Sequence, residues 1–415
     1  MVKGEADVAV IGGGAAGIAA GRYLHDAGLD CLILEARPRL GGRAWSVEAA
    51  PGCRIDLGCG WLHSADRNPW SDLAAARGFA IDKTPPPWRR RSSSVGFPSG
   101  GQADFLQAMT DFYERLDANT GLTRDVPTAD FLNVGDRWNP LINAIGTFVS
   151  GAELDRVSAR DFINYDDSGV NWRVVEGYGT AIADHAQPVP VVFDCPVTRI
   201  DHSGRRINIE TARGAVSANA VIVTVPTALL AAGAIAFHPA LPDKAEAAGG
   251  LPLGLADKLF LSLDGAEDFE KDSRVFGRTD SVATGAYHLR PFGRAQIEGY
   301  FGGTLAAELE KDGVSAFVDF ATRQLVDLFG ADFAKRIAPI RMHLWGQDPF
   351  ARGAYSYARA GQAGARAVLA APVDERLFFA GEACSEHDFS TAHGAYLTGI
   401  TAAKQAVAAR RRTPA

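Results

Sequence analysis

The first 35 residues constrain this chain more than any other part, because a strand, a glycine turn, a helix and a second strand follow one another without a gap. Asp7–Ile11 (DVAVI) is short, apolar and rich in β-branched residues, the pattern of a strand buried on both faces. It runs into Gly12–Gly17 (GGGAAG), then a stretch of helical composition ending at Gly28, then a second apolar run closing at Glu35. That is the length a dinucleotide-binding βαβ unit requires. In such a unit Gly12 allows the tight turn, Gly14 lets backbone approach a pyrophosphate, and Gly17 lets helix and strand pack closely. Ala15 and Ala16 start the helix, whose unpaired N–H groups and positive dipole end favour phosphate. Glu35 stands 21 residues after Gly14, where a carboxylate accepts hydrogen bonds from a ribose diol.

The fingerprint alone does not separate NAD from FAD. The next segment, Ala36–Trp45 (ARPRLGGRAW), brings Arg37, a second glycine pair ending at Gly42, and Arg43. An extra guanidinium fork near the pyrophosphate suits a resident FAD. From Glu35 to Arg43 the chain resembles the flavin-dependent amine oxidase family, which includes monoamine oxidases, polyamine oxidases and lysine-specific histone demethylases. The resemblance extends to Ile55–His63 (IDLGCGWLH), to GLADK ending at Lys258, to GAYSY around Tyr355, and to the carboxy-terminal AGE and TAHGA motifs.

The resemblance implies roles. Backbone at Gly60, Trp61 and Leu62 lies against the flavin ring, and Val197 meets the adenine through its main chain. Glu382, after Gly381, holds ribityl hydroxyls. Ala392 and His393 open the last helix towards flavin N1 and O2, with His393 structural rather than a base. Lys258 holds a water beside flavin N5, Trp345 lies near the flavin, and Tyr355 is one wall of an aromatic cage. Thr391 replaces the second cage tyrosine of monoamine oxidases. Ala354 stands where those enzymes carry the cysteine attached to FAD, which implies non-covalent FAD. Without the family, Val197 and Tyr355 read as core residues and Lys258 as a snorkelling surface lysine.

The implied fold is α/β: a Rossmann-like FAD-binding domain of glutathione-reductase type, interleaved with an α+β substrate domain on a mixed sheet. The FAD domain is expected at 1–85, 188–250 and 350–415, and the substrate domain at 86–187 and 251–349. Pro85-Pro86-Pro87 breaks regular structure at the first crossing. Residues 105–117 and 140–149 read as helices, and Val189–Val225 as short strands. Phe317, Ala321, Leu325 and Leu328 recur at helical spacing, a core stripe.

Composition narrows the function. A net charge of −7, from 42 basic and 49 acidic residues, disfavours a nucleic-acid binder. The dense basic runs are Arg89-Arg90-Arg91 and Arg410-Arg411-Arg412, the second read as a frayed tail. Five cysteines without a CxxC pair argue against a disulfide framework or metal site and for a reducing cytoplasm. No apolar run reaches membrane-spanning length. A homodimer is compatible with the sequence but is not specified by it. The reading is an FAD-dependent oxidase of a small-molecule amine, giving imine and then carbonyl, with O2 as acceptor and peroxide as product. The alternatives are an amine dehydrogenase with another acceptor, a desaturase or isomerase of an apolar substrate, and a non-enzymatic FAD module. Asp166, Asp167 and Glu176 are either a site for a distal ammonium or solvated loop carboxylates, and Arg173 would serve an amino-acid substrate.

Overall fold

The computed structural model describes residues 4–89, 94–121 and 123–412, so Arg90 and Arg91 of the first basic run lie outside the described residues. The strands in chain order are β1 (Glu5–Ile11), β2 (Cys31–Leu34), β3 (Ser46–Ala50), β4 (Cys53–Asp56), β5 (Ile81–Asp82) and β6 (Arg173–Val174). Then come β7 (Val191–Val192), β8 (Val197–Asp201), β9 (Ile207–Thr211), β10 (Gly214–Val223) and β11 (Ala236–His238). The rest are β12 (Ala256–Leu263), β13 (Ser273–Phe276), β14 (Ala286–Leu289), β15 (Gln296–Gly302), β16 (Ile337–Met342) and β17 (Leu377–Phe379).

The first sheet runs β11-β8-β9-β10-β1-β2-β7, with β17 also on β10. The expected βαβ unit forms: β1 and β2 pair in parallel through the helix Ala15–Asp26. β10 is long enough to serve two partners. Its start pairs antiparallel with β9, and its end runs parallel between β1 and β17. Register decides where the strands stop. Ile11 faces both Leu34 and Val223, and Val223 faces Phe379, so four strands end level. Gly12, Glu35, Thr224 and Ala380-Gly381 therefore emerge along one sheet edge, with Gly12 and Ala380 two strand spacings, roughly 10 Å, apart. Apolar side chains bury both faces of these strands: Val8, Val10 and Ile33 on one, Ala9, Ile11 and Leu34 on the other.

The carboxy-terminal helix Ala392–Arg412 lies on the helix Ala15–Asp26, close enough that a Cβ on Gly399 would sit 2.2 Å from the Ala16 carbonyl oxygen. This helix corrects the frayed-tail expectation. It continues through Arg412; Arg410 pairs with Asp7 and Arg412 approaches Glu375 at 3.3 Å. An alanine-rich helix ending in basic residues complements its own dipole.

The second sheet, β13-β14-β15-β12-β16, is antiparallel throughout rather than mixed; the mixed pairing belongs to the first sheet. The helix Val314–Phe329 covers it with Phe317, Ala321 and Leu325 fully buried and Leu328 partly so. The helices Gly101–Asp117 and Asn139–Ser150 match the expected pair and build a separate core around Phe105, Phe112 and Leu141. The return to the first domain comes earlier than the expected 188. β5 pairs with β6 at Ile81↔Val174, and Val174, Tyr178, Ala181 and Ile182 pack into the first core. Pro87–Arg89 forms a single 3-10 turn at the outward crossing.

Candidate active site

The glycine turn has the geometry its residues require. Gly12 sits at φ +103, and a Cβ on Gly17 would strike the Gly12 carbonyl oxygen at 1.9 Å. A Cβ on Gly14 would meet nothing within 4 Å. The helix starting at Ala15 has no side-chain cap and no acidic residue in its first turn, so its positive end is left for an anion. Glu35 is buried and accepts from the Gly13 N–H at 2.6 Å and the Arg37 N–H at 2.8 Å. It thus braces the turn. The following loop lies over the turn: Gly41 N–H donates to Gly13 O at 2.8 Å, and a Cβ on Gly42 would be 3.3 Å from the Gly14 Cα. Ala36 is half-buried in this loop.

Two expected cofactor groups meet each other. One Arg43 nitrogen donates to Glu382 Oε1 and to Ala354 O, both at 2.8 Å. Glu382 Oε2 accepts from Ser356 Oγ at 2.6 Å and from Ser390 N at 3.1 Å. Burial works to raise Glu382, but Arg43 and Ser356 outweigh it and hold the carboxyl below its usual range. Arg43, Thr224, Gly381 and Glu382 line a cavity of about 20 Å3 at the level strand ends. Arg37 reaches the turn with its backbone N–H on Glu35, and its guanidinium pairs with Asp348 at 2.5 Å. Val197 is buried at the start of β8, in the core beneath the sheet.

The second group of residues surrounds Lys258. A Cβ on Gly58 would strike the Arg43 carbonyl oxygen at 1.7 Å, and one on Gly60 would lie 3.2 Å from Lys258 Nζ, so this loop runs from Arg43 to the lysine. Leu62 is fully buried and exchanges backbone hydrogen bonds with Trp172. Trp61 packs edge-on to Trp88, with ring centres 4.6 Å apart. Trp345 is buried, and its indole N–H donates to Leu57 O at 3.0 Å, which fastens the loop from beneath. Lys258 is buried, not snorkelling, and donates to Glu298 Oε1 at 2.9 Å. Burial and Asp56 push the neighbouring Cys59 thiol up to about 12, so it stays protonated.

Tyr355 donates its hydroxyl to Phe148 O, which fixes the ring, and burial raises its phenol. The Thr391 hydroxyl donates to Asp388 O at 2.6 Å and accepts from Gly394 N at 2.9 Å, capping the last helix. His393 is buried against Asp388 at 3.1 Å, and Ala392 starts the helix. Asp166 is paired with Arg67 at the surface, and the exposed Asp167 and Glu176 accept from the backbone N–H groups of Gly169 and Ala80. Arg173 is buried between Asp82 at 2.6 Å and Asp272 at 3.0 Å. The sequence reading missed Glu298, His288 and Asp272, which stand behind Lys258, and Ser356 with Arg366, which stand behind Glu382. A lone carboxylate inside the apolar strand QIEGYFG was the available signal for Glu298.

Residues 136–407 match the family described as flavin containing amine oxidoreductase, and residues 10–76 match an NAD(P)-binding Rossmann-like domain. Polyamine oxidase 4 of Oryza sativa subsp. japonica is 28% identical over 96% of this chain and 88% of its own length. Lysine-specific histone demethylase 2 of Homo sapiens is 26% identical over 97% of this chain, which spans 53% of that protein. A putrescine oxidase solved with putrescine bound superposes with a TM-score of 0.81, over 97% of this chain and 99% of that one, at 18% identity.

Proposed function

Because the chain belongs to the flavin containing amine oxidoreductase family, we propose that it oxidises the C–H bond beside an amine nitrogen, using non-covalent FAD and O2. Amine and O2 become imine and hydrogen peroxide, and water then hydrolyses the imine to a carbonyl compound. When bound, FAD supplies the acceptor for the hydride that leaves carbon. The observation that carries the reading is the level ending of β1, β2, β10 and β17, which brings the glycine turn, Glu35 and Gly381-Glu382 to one edge.

The residues present fit the dinucleotide. The open space at Gly14 and the uncapped helix start suit the pyrophosphate, and Glu35 suits the ribose. Glu382 suits the ribityl chain, since the residues holding it leave one Oε1 lone pair free. The start of the helix Ala392–Arg412 supplies a dipole that favours negative charge on the flavin ring. Ala354 offers no thiol for attachment. Walls given by Tyr355 and Trp345 would strip water from the substrate nitrogen, which lowers its proton affinity and favours the neutral amine the reaction needs. Lys258 presents N–H donors beside the loop at Gly60. Di- and polyamines are the favoured substrates, on the strength of the polyamine oxidases that match nearly end to end.

The deciding experiment is anaerobic mixing of the yellow protein with monoamines, diamines, polyamines and amino acids. Bleaching near 450 nm by a di- or polyamine, followed by peroxide release on admitting air, is the expected result. Bleaching without reoxidation by air would make it a dehydrogenase, and no bleaching by any amine would remove the amine reading. Yellow colour remaining on acid-precipitated polypeptide would overturn non-covalent attachment.

A further inference from the structure

We infer that Glu298, braced by His288, is a positioning residue for Lys258, fixing where the lysine head points. Its consequence rests on the proposed flavin chemistry; its geometry does not. Strand register puts the three side chains on one face of three adjacent strands. Lys258 on β12 faces Tyr300 on β15; Glu298 lies two residues away on the same face; His288 on β14 faces Glu298 directly.

The contacts follow that diagonal. Lys258 Nζ lies 2.9 Å from Glu298 Oε1, and Glu298 Oε2 lies 3.7 Å from His288 Nδ1. His288 Nε2 lies 3.0 Å from Asp272 Oδ1, which Arg173 also reaches at 3.0 Å. All five residues are buried. Asp272 is held in turn by the Phe292 N–H at 3.1 Å, so the chain ends on backbone. A lysine head on a four-carbon stem carries about 2 kcal/mol of rotamer entropy and does not fix itself. Here one of its three donors is committed to a carboxylate whose other oxygen faces the His288 ring at 3.7 Å.

Among the described residues, Glu298 is the carboxylate that hydrogen-bonds Lys258, with Asp56 acting on it through charge alone. The other described ionisable groups around Lys258 include Asp56 and Cys59 from the loop side, Tyr300 on its own sheet face, and Arg54, Arg173 and Arg294, which line a cavity with the lysine. Asp56 is engaged by Ser46 Oγ and by the N–H groups of Tyr178 and Gly179. Cys59, pushed up by burial, carries no charge to offer the lysine. Burial works to raise Glu298, but Lys258 and His288 outweigh it and hold the carboxyl at about 2. The pair is therefore close to neutral as a unit. Losing either member leaves a buried charge of opposite sign.

That opposition gives the test. In the flavin-loaded protein, Glu298→Gln should raise the flavin midpoint potential, because an uncompensated lysine favours the reduced anion. Lys258→Met should lower it, and the double variant should return near the starting value. Equal signs, or no shift in either, would overturn the inference, since a role in folding alone predicts no inversion. A second readout does not depend on flavin. The chain has eight lysines, so the 13Cε resonance of Lys258 is assigned by its loss in Lys258→Met. Glu298→Gln should lower its titration midpoint by about one pH unit or more, a tenfold change in proton affinity. An unchanged titration overturns the inference. If Glu298→Gln fails to fold, His288→Asn should move the same resonance in the same direction by less, and no movement is again fatal. A protein that takes up no flavin would sink the flavin reading while leaving the lysine titration to decide this one.

Discussion

Two glycines of one turn make opposite demands. Gly17→Ala would drive a methyl into the Gly12 carbonyl oxygen, prising helix from strand, and should cost about 3 kcal/mol of stability. Gly14→Ala meets no protein atom within 4 Å, so stability should stay within about 0.5 kcal/mol. Its methyl would instead occupy the space where the pyrophosphate approaches, and FAD affinity should fall at least about tenfold, or 1.4 kcal/mol. Fluorescence titration with FAD beside thermal melting separates the two; full FAD affinity in Gly14→Ala would mean the turn is not the pyrophosphate seat. Lys258→Met should slow reoxidation by O2 more than reduction by amine, and stopped-flow traces unchanged in both halves would remove the lysine from the chemistry. The two glycines were legible because their work is done by backbone, whose demands appear as residue type at fixed spacing. Glu298 and Arg366 were not, because each matters through a partner far away in sequence: Lys258 is 40 residues from Glu298, and Asp161 is 205 from Arg366.

Between elements, the same distinction decides which parts of the fold could be read. Strands and helices with a full apolar period were legible: the opening βαβ unit, the helix carrying Phe317 to Leu325, the final helix. The early return of the chain was not, because β6 has two residues and its pairing with β5 leaves no periodic trace. Nor was the join between the helices Ala159–Asn164 and Ala365–Ala370. There Arg366, fully buried, grips both Asp161 oxygens at 2.6 and 2.8 Å and passes a third contact to Ser356, which holds Glu382. Arg366→Met leaves Asp161 charged and unpaired in the interior, which costs about 3–5 kcal/mol. Replacing both, Asp161→Leu with Arg366→Met, removes the stranded charge and should recover most of that loss. It will not recover all, since the Ala358 N–H loses its acceptor in Asp161. Urea denaturation of the single and double variants is the check; equal losses would mean the pair stabilises by some route other than mutual compensation.

Across the whole molecule, buried carboxyls pull stability in two directions as pH changes. Burial works to raise Asp272, Glu298 and Asp348, yet their partners prevail and hold each at about 2: His288 and Arg173 for the first, Lys258 and His288 for the second, His343 and Arg37 for the third. A carboxyl lowered on folding gives stability that is present above its unfolded value, near 4, and is lost as pH falls towards 2. Asp257 is the opposite case. Burial and then Glu310 raise it well above 3.8, so its stability is present below that value and is lost as pH rises through the folded one. The melting temperature should therefore climb steeply from about pH 2 to 4.5 and then sag as Asp257 is forced to ionise. Asp257→Asn isolates the second effect, because the amide keeps an oxygen to accept from the Trp345 N–H, now at 3.3 Å, without ever taking a charge. Melting curves from pH 3 to 8 should show the variant matching the parent in acid and exceeding it by about 2 °C at the alkaline end. A constant offset across that range would mean the carboxyl does not change its protonation on folding. The loop that carries Trp345 would then rest on Asp257 for its shape alone.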